Sequence, residues 1–145
     1  MQMGADIKQV FTRFCVAVNQ VEKVVKAEGR SFMHNDHLGY ILTCPSNLGT
    51  GLRASIMVKI PKLSARPDFK DLMNKMKLQA RGGAGVDSTE NAEGIFDVSN
   101  SDRIGISEVG LVNIMIEGSA KVVAMETKLA AGESIDAIVN QIMAS

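Results

Sequence analysis

The chain has 145 residues, 46% of them hydrophobic, and its 16 Lys and Arg balance 16 Asp and Glu for a net charge of zero. That length suits one domain rather than two. The balanced charge supplies no basic face for nucleic acid, and no apolar run approaches the roughly 18 residues of a membrane-spanning helix. Met1 to Asp6 has neither the basic nor the apolar region of a secretory signal. Cys15 and Cys44 form no C-x-x-C pair, and with His34 and His37 they give no zinc-ligand spacing, so no metal site is expected. Two unpaired thiols fit a reducing, cytoplasmic compartment. Nine methionines beside five Phe, one Tyr and no Trp predict a core filled by flexible side chains.

Asp6 to Glu28 reads as an amphipathic helix, because Val10, Phe11, Phe14, Val18, Val21 and Val25 recur at three- and four-residue steps between charged residues. Gly29 is its expected stop. Leu38–Thr43 and Ser55–Ile60 are strand-like apolar runs, and Pro45, Gly49 and Gly51 between them predict an antiparallel pair with a long loop. Pro67 opens a second helical pattern with Phe69, Leu72, Met73 and Met76 on one side. Gln79–Gly94 is polar and reads as a long connection, either functional or mobile. Ile95–Val98 reads as a short strand. Ser107 and Glu108 open a third helix, and Ser134 a last, short one. Three strands among four helices predict an α+β fold, an antiparallel β-sheet flanked by α-helices.

Two loops concentrate chemistry. In Cys44-Pro45-Ser46-Asn47-Leu48-Gly49-Thr50-Gly51-Leu52-Arg53, a cysteine at a strand end precedes a proline turn, hydroxyl residues, two glycines and an arginine. Backbone N–H groups and hydroxyls in such a turn lower a thiol's pKa by donating to the thiolate. Glycines admit close backbone approach to a ligand, and a guanidinium suits phosphate or carboxylate. A tight loop around a buried cysteine is the alternative. Arg81-Gly82-Gly83-Ala84-Gly85 looks like a phosphate-cradling loop, yet it is neither a Walker A nor a G-x-G-x-x-G motif, so a surface loop is its alternative. Together, Arg53 and Arg81 form a pair suited to gripping one polyphosphate from two sides.

Taken together, these segments resemble the phosphagen (ATP:guanidino) kinases. Cys44 to Thr50 matches that family's signature, and the likeness continues through Asn35-Asp36-His37-Leu38-Gly39-Tyr40, Phe96 to Arg103, Ser107-Glu108-Val109 and the closing helices. Gly85-Val86-Asp87 is closer to the creatine-kinase branch than to the arginine kinases; creatine, lombricine, glycocyamine and taurocyamine kinases all remain open. The resemblance implies the C-terminal portion of a guanidino-kinase/glutamine-synthetase-like catalytic domain over residues 1–145, without the family's helical N-terminal domain, its guanidinium-contacting glutamate and further phosphate-binding arginines.

It further implies reversible transfer of the γ-phosphoryl of Mg-ATP to a guanidino nitrogen, with ATP/ADP and Mg2+ as cofactors and a small guanidino compound as partner. A homo-oligomer would be in keeping with the family. By the same likeness, Arg53 and Arg81 hold the nucleotide phosphates, Gly82, Gly83 and Gly85 let the loop wrap them, and Asp97 lies near the adenosine end. Cys44 is a thiolate that orients the guanidinium electrostatically, Ser46 tunes it through a hydrogen bond, and Val86 sits on a loop that closes over the acceptor. Three departures stand out: Met57 replaces a histidine near the adenine, Ala84 alters the glycine loop, and Asp87–Ile95 is one residue longer than in creatine kinases. The alternatives are a truncated non-catalytic relative that binds nucleotide or serves in assembly, and a cysteine-nucleophile enzyme pairing Cys44 with His37.

Overall fold

The computed structural model describes residues 2–4, 6–82 and 94–144. The chain folds as two compact units, Met1–Leu52 with Arg103–Glu108 and Arg53–Asp102 with Val109–Ser145.

The first unit begins with helix α1, Ile7–Ala27. Asp6 caps it by accepting from the Gln9 backbone N–H at 2.9 Å, which satisfies one of the otherwise orphaned first-turn donors. Gly29 ends it at φ +71°, and Arg30 N–H closes the last turn on the Val25 carbonyl at 3.1 Å. No α1 side chain is fully buried, and Val16, Val21 and Val24 are more than half exposed.

A minimal hairpin follows, β1 (His34–Asn35) against β2 (Gly39–Tyr40). Its turn is held by the Asn35 carboxamide oxygen, which accepts from His37 N–H at 2.8 Å and Leu38 N–H at 3.0 Å. Here the structure departs from the expected pairing of 38–43 with 55–60. Only Gly39–Tyr40 of the first run is extended, and it pairs with His34–Asn35. Ile41 and Leu42 are 38% and 43% exposed, so no sheet face claims that run.

The second unit is built on an antiparallel sheet in the order β3-β5-β4, with β3 at Ser55–Lys59, β4 at Leu78–Gly82 and β5 at Ile95–Asn100. Three helices from this part of the chain follow in order: α2 (Pro61–Ser64), α3 (Phe69–Lys75) and α5 (Asp136–Ala144). Between α3 and α5 in sequence lies the long α4 (Glu108–Ala130), which belongs to this unit from Val109 onward.

β4 corrects the reading of Gln79–Gly94 as a connection: its first four residues are a strand. Leu78, Ala80 and Gly82 alternate with Gln79 and Arg81, and the first set lies on the same face as Val98 and Phe96 of β5. That face meets the core, in which Leu63, Leu72, Leu78, Val98, Val122 and Met125 have no exposed surface. Burying one such Leu or Val contributes about 1.5–3 kcal/mol. Gly118 lets α4 approach β4 closely, since a Cβ there would stand 2.6 Å from Leu78 Cδ1.

α2 was not anticipated. Pro61 starts it, and the Glu126 carboxylate of α4 accepts from Lys62 N–H at 3.2 Å and Leu63 N–H at 2.8 Å. An acidic side chain at a helix N-terminus satisfies orphan donors and complements the dipole. The helix expected from Pro67 starts at Phe69, after a turn clamped by a two-pronged Arg66–Asp68 ion pair at 2.8 and 2.7 Å. Among the described residues no helix is long and apolar enough to cross a membrane.

Candidate functional site

In the first unit, Cys44 stands immediately before a single turn of 3-10 helix, Pro45–Asn47, rather than at a strand end. Proline supplies the fixed φ that such a turn needs. Asn47 N–H closes the turn on the Cys44 carbonyl at 3.0 Å. Cys44 is exposed, so the buried-cysteine alternative fails. Its sulfur is 3.0 Å from the Ser46 hydroxyl oxygen. The Ser46 hydroxyl and then the Ser46 backbone hold the thiol below its ordinary pKa; desolvation opposes them, and the charge of Arg103 adds a lesser lowering. The thiolate is the nucleophilic and electrostatically active form, so this turn raises its population near neutral pH.

The loop beyond Cys44 is pinned at Gly49. Tyr40 N–H donates to the Gly49 carbonyl at 2.7 Å, and Thr50 N–H donates to the Arg103 carbonyl at 2.9 Å. Gly49 has φ +103°, and a Cβ there would lie 2.1 Å from the Arg103 carbonyl oxygen, so glycine is required twice over. A cavity of about 290 Å³ opens beside this junction, lined by His34, Asp36, His37, Arg103 and Glu108 among others.

The second unit holds the other described candidates. Arg53 Nη2 donates to Asp97 Oδ2 at 2.7 Å, with both side chains about a quarter to a third exposed. Asp97 is the centre of a cross-strand row: Met57 faces it from β3 and Arg81 from β4. Directly paired residues point to the same side of a sheet, so Met57, Asp97 and Arg81 share the face opposite the core. Arg81 Nη2 donates to Gln79 Oε1 at 3.3 Å. Asp97 Oδ1 and the hydroxyl of Ser99 are buried atoms with no hydrogen-bond partner among the described residues. Such orphans are costly in a finished protein and mark hydrogen-bonding capacity available to a ligand.

Sequence reasoning missed two supports. One is the Arg53–Asp97 pair itself. The other is Asn100, whose carboxamide accepts from Ala54 N–H at 2.8 Å and donates to the Asp102 carbonyl at 2.8 Å, fixing the backbone next to Arg53. The signal was present in Phe96 to Arg103, but a polar residue at a strand's core-facing position reads as surface until its partners are known. Gly82 ends β4, and Gly83, Ala84, Gly85 and Val86 lie outside the described residues.

The family described as ATP:guanido phosphotransferase, C-terminal catalytic domain, matches residues 1–129. The testis isozyme of creatine kinase from Oncorhynchus mykiss is 52% identical over 94% of this chain and 35% of its own length. Creatine kinase B-type from Gallus gallus is 50% identical over the same shares. The chain therefore spans about a third of the length of the curated relatives it matches. Among solved structures, a lombricine kinase superposes with a TM-score of 0.86 at 42% identity, over 93% of this chain and 37% of that one. The duplicated taurocyamine kinase of Schistosoma mansoni, with bound transition-state-analogue components, gives 0.71 at 38% identity, over 87% of this chain and 16% of that one. With the Cys-Pro-Ser turn, the α+β fold and these likenesses in agreement, the chain belongs to the ATP:guanido phosphotransferase family, within its C-terminal catalytic domain.

Proposed function

We propose that the chain supplies part of the active site of a cytoplasmic ATP:guanidino phosphotransferase, with creatine or a related guanidino compound as acceptor. The observation that carries this reading is the exposed Cys44 sulfur, 3.0 Å from the Ser46 hydroxyl and held toward its charged form. A thiolate beside a planar cation attracts it without forming a covalent bond, so Cys44 orients the guanidinium for in-line attack on the γ-phosphorus. In the transfer a nitrogen–phosphorus bond forms, the bond to the ADP oxygen breaks and a proton leaves the nitrogen. Phosphoryl transfer of this kind depends on alignment and charge neutralisation more than on covalent chemistry.

On this reading Arg53 and Arg81 bind the nucleotide phosphates. Arg53 exchanges its contact with Asp97 for a phosphate oxygen, and the released Asp97 carboxylate, with the Ser99 hydroxyl, is free to bond toward the nucleoside. Met57 offers an adenine apolar contact only, being 59% exposed on the same sheet face. Mg2+ would arrive with the nucleotide. Among the described residues no group of three or more His, Cys, Asp or Glu is placed to hold a metal.

Calorimetry with Mg-ADP, alongside proton release measured with creatine, lombricine, glycocyamine, taurocyamine and arginine, tests the reading. Nucleotide affinity that falls at least tenfold in Arg53→Ala supports it. Equal affinity in the unaltered chain and Arg53→Ala, with no acceptor-dependent proton release even when the chain is joined to a relative's N-terminal remainder, overturns it.

A further inference from the structure

We propose that α1 is a dimerisation helix, pairing antiparallel and with two-fold symmetry against α1 of a second copy of this chain. Ile7, Phe11, Phe14, Val18, Val21 and Val25 follow one another at alternating four- and three-residue steps along the 21-residue helix. That spacing is the seam of a two-stranded coiled coil, in which the a and d positions of a seven-residue repeat meet those of the facing helix. With Phe11 at a and Phe14 at d, the outward b, c and f positions are polar or charged apart from Val16 and Ala27. The seam is uncovered. Phe14, Val18 and Val21 are 42%, 36% and 54% exposed, Ile7, Phe11 and Val25 are half-buried, and no other described helix or strand packs along α1. A stripe of this kind, about 30 Å long, marks an interaction surface rather than ordinary scattered apolar residues.

The flanking positions select both the partner and its direction. In an antiparallel pair each e position faces an e position, and each g position a g position. Lys8 then meets the second copy's Glu22, Glu22 meets its Lys8, and Val10 meets its Val24. Cys15 and Ala17 sit at the centres of the two flanks, each opposite its own copy. Glu22 already bonds Lys26 within the helix at 2.8 Å, and a carboxylate has acceptor sites for both ammonium groups. A parallel pair would instead set Val10 against Cys15 and Ala17 against Glu22, with no ion pair. In the seam, the antiparallel register opposes Ile7 to Val25, Phe11 to Val21 and Phe14 to Val18, so every layer joins a larger side chain to a valine. The sequence is thus complementary to itself when reversed, which is the condition for an isologous two-fold interface. The exposed ion pairs set direction more than strength; burial of the seam with Val10 and Val24 supplies the strength. Dimerisation through α1 stands or falls independently of phosphoryl transfer.

Sedimentation equilibrium of the chain at concentrations up to about 1 mM is the test. The mass should rise with concentration from the 15.6 kDa of one chain toward twice that value. Val18→Glu puts a charge in the central layer and should weaken association by at least about tenfold, with helix content by circular dichroism unchanged. Lys8→Glu and Glu22→Lys should each weaken association several-fold, and the chain carrying both exchanges should recover most of it, because both ion pairs are restored with reversed sign. In a Cys44→Ser background, a short bis-maleimide should join Cys15 to the second copy's Cys15, which parallel pairing would hold on the opposite flank. A mass of 15.6 kDa at every concentration overturns the proposal, and the stripe then falls to the part of the relatives' length that this chain does not span. A dimer that gives no Cys15 product, or that Val18→Glu leaves intact, overturns it as well. Should Val18→Glu fail to fold, failure of the double exchange to recover association overturns it instead.

Discussion

Replacing Gly49 by alanine probes the junction on which the cysteine loop depends. Two separate costs arise. The first is conformational: φ of +103° lies outside what an L side chain readily adopts, a strain of about 1–3 kcal/mol. The second is steric, because the new Cβ would stand 2.1 Å from the Arg103 carbonyl oxygen, 2.7 Å from its carbon and 2.9 Å from Ile104 Cγ1. A flexible side chain can swing aside; a carbonyl group cannot. Relief requires the two backbones to part, which breaks the Thr50–Arg103 hydrogen bond at a further 0.5–1.5 kcal/mol or so. The sum is roughly 2–4 kcal/mol. Gly29→Ala is the matched control, since Gly29 has φ +71° with nothing among the described residues within 4 Å of its Cβ position, and only the conformational cost applies. Urea denaturation followed by circular dichroism gives both values, and Cys44 alkylation reports the loop directly. Gly49→Ala should lose clearly more stability than Gly29→Ala and lower the neutral-pH reactivity of Cys44 only in part, because the Ser46 contact lies within the cysteine's own turn. Equal losses in the two variants would refute the close-approach argument.

Ser46→Ala should raise the Cys44 pKa and slow its alkylation at neutral pH, with the remainder of the lowering kept by the Ser46 backbone and Arg103; an unchanged pH profile would remove Ser46 from the account. Leu78→Ala deletes a side chain with no exposed surface and should cost about 3–5 kcal/mol by urea denaturation, whereas a loss under 1 kcal/mol would mean that β4 does not pack as described. The Arg66 pair holds the Asp68 carboxyl below its ordinary value, so its stabilisation is complete above the unfolded pKa of about 3.9 and disappears as pH falls through the lower folded value. With side chains 30% and 27% exposed, the pair contributes roughly 0.5–1 kcal/mol. Asp68→Asn should flatten that part of the stability profile below pH 4 and leave the neutral-pH difference within that range.

The helices were legible because each carries its own periodic signal: α1 lies within one residue of its expected limits at both ends, marked by Asp6 and Gly29. Strand pairing was less so. β3 pairs with β5, some forty residues onward, and nothing local to Ser55–Lys59 names that partner over the nearer Leu38–Thr43. β4 was obscured by the Arg-Gly-Gly run that begins within its last two residues, although Leu78, Ala80 and Gly82 alternate cleanly with Gln79 and Arg81. At the site, the Cys44–Ser46 spacing encodes a contact within one turn and could be read directly. The Arg53–Asp97 pair joins residues far apart in sequence, and Asn100 reads as an ordinary polar residue until the fold brings Ala54 to it.

The central claim is that this chain contributes Cys44, Arg53 and Arg81 to phosphoryl transfer onto nitrogen. Phosphorus NMR of a reaction mixture tests it most directly, using the chain joined to the N-terminal remainder of a creatine-kinase relative, Mg-ATP and each guanidino acceptor in turn. The account predicts a new nitrogen–phosphorus resonance with at least one acceptor, growing as ATP is consumed and reduced at least a hundredfold in rate by Arg53→Ala. ATP consumption that yields inorganic phosphate alone, with no such resonance from any acceptor, would contradict it.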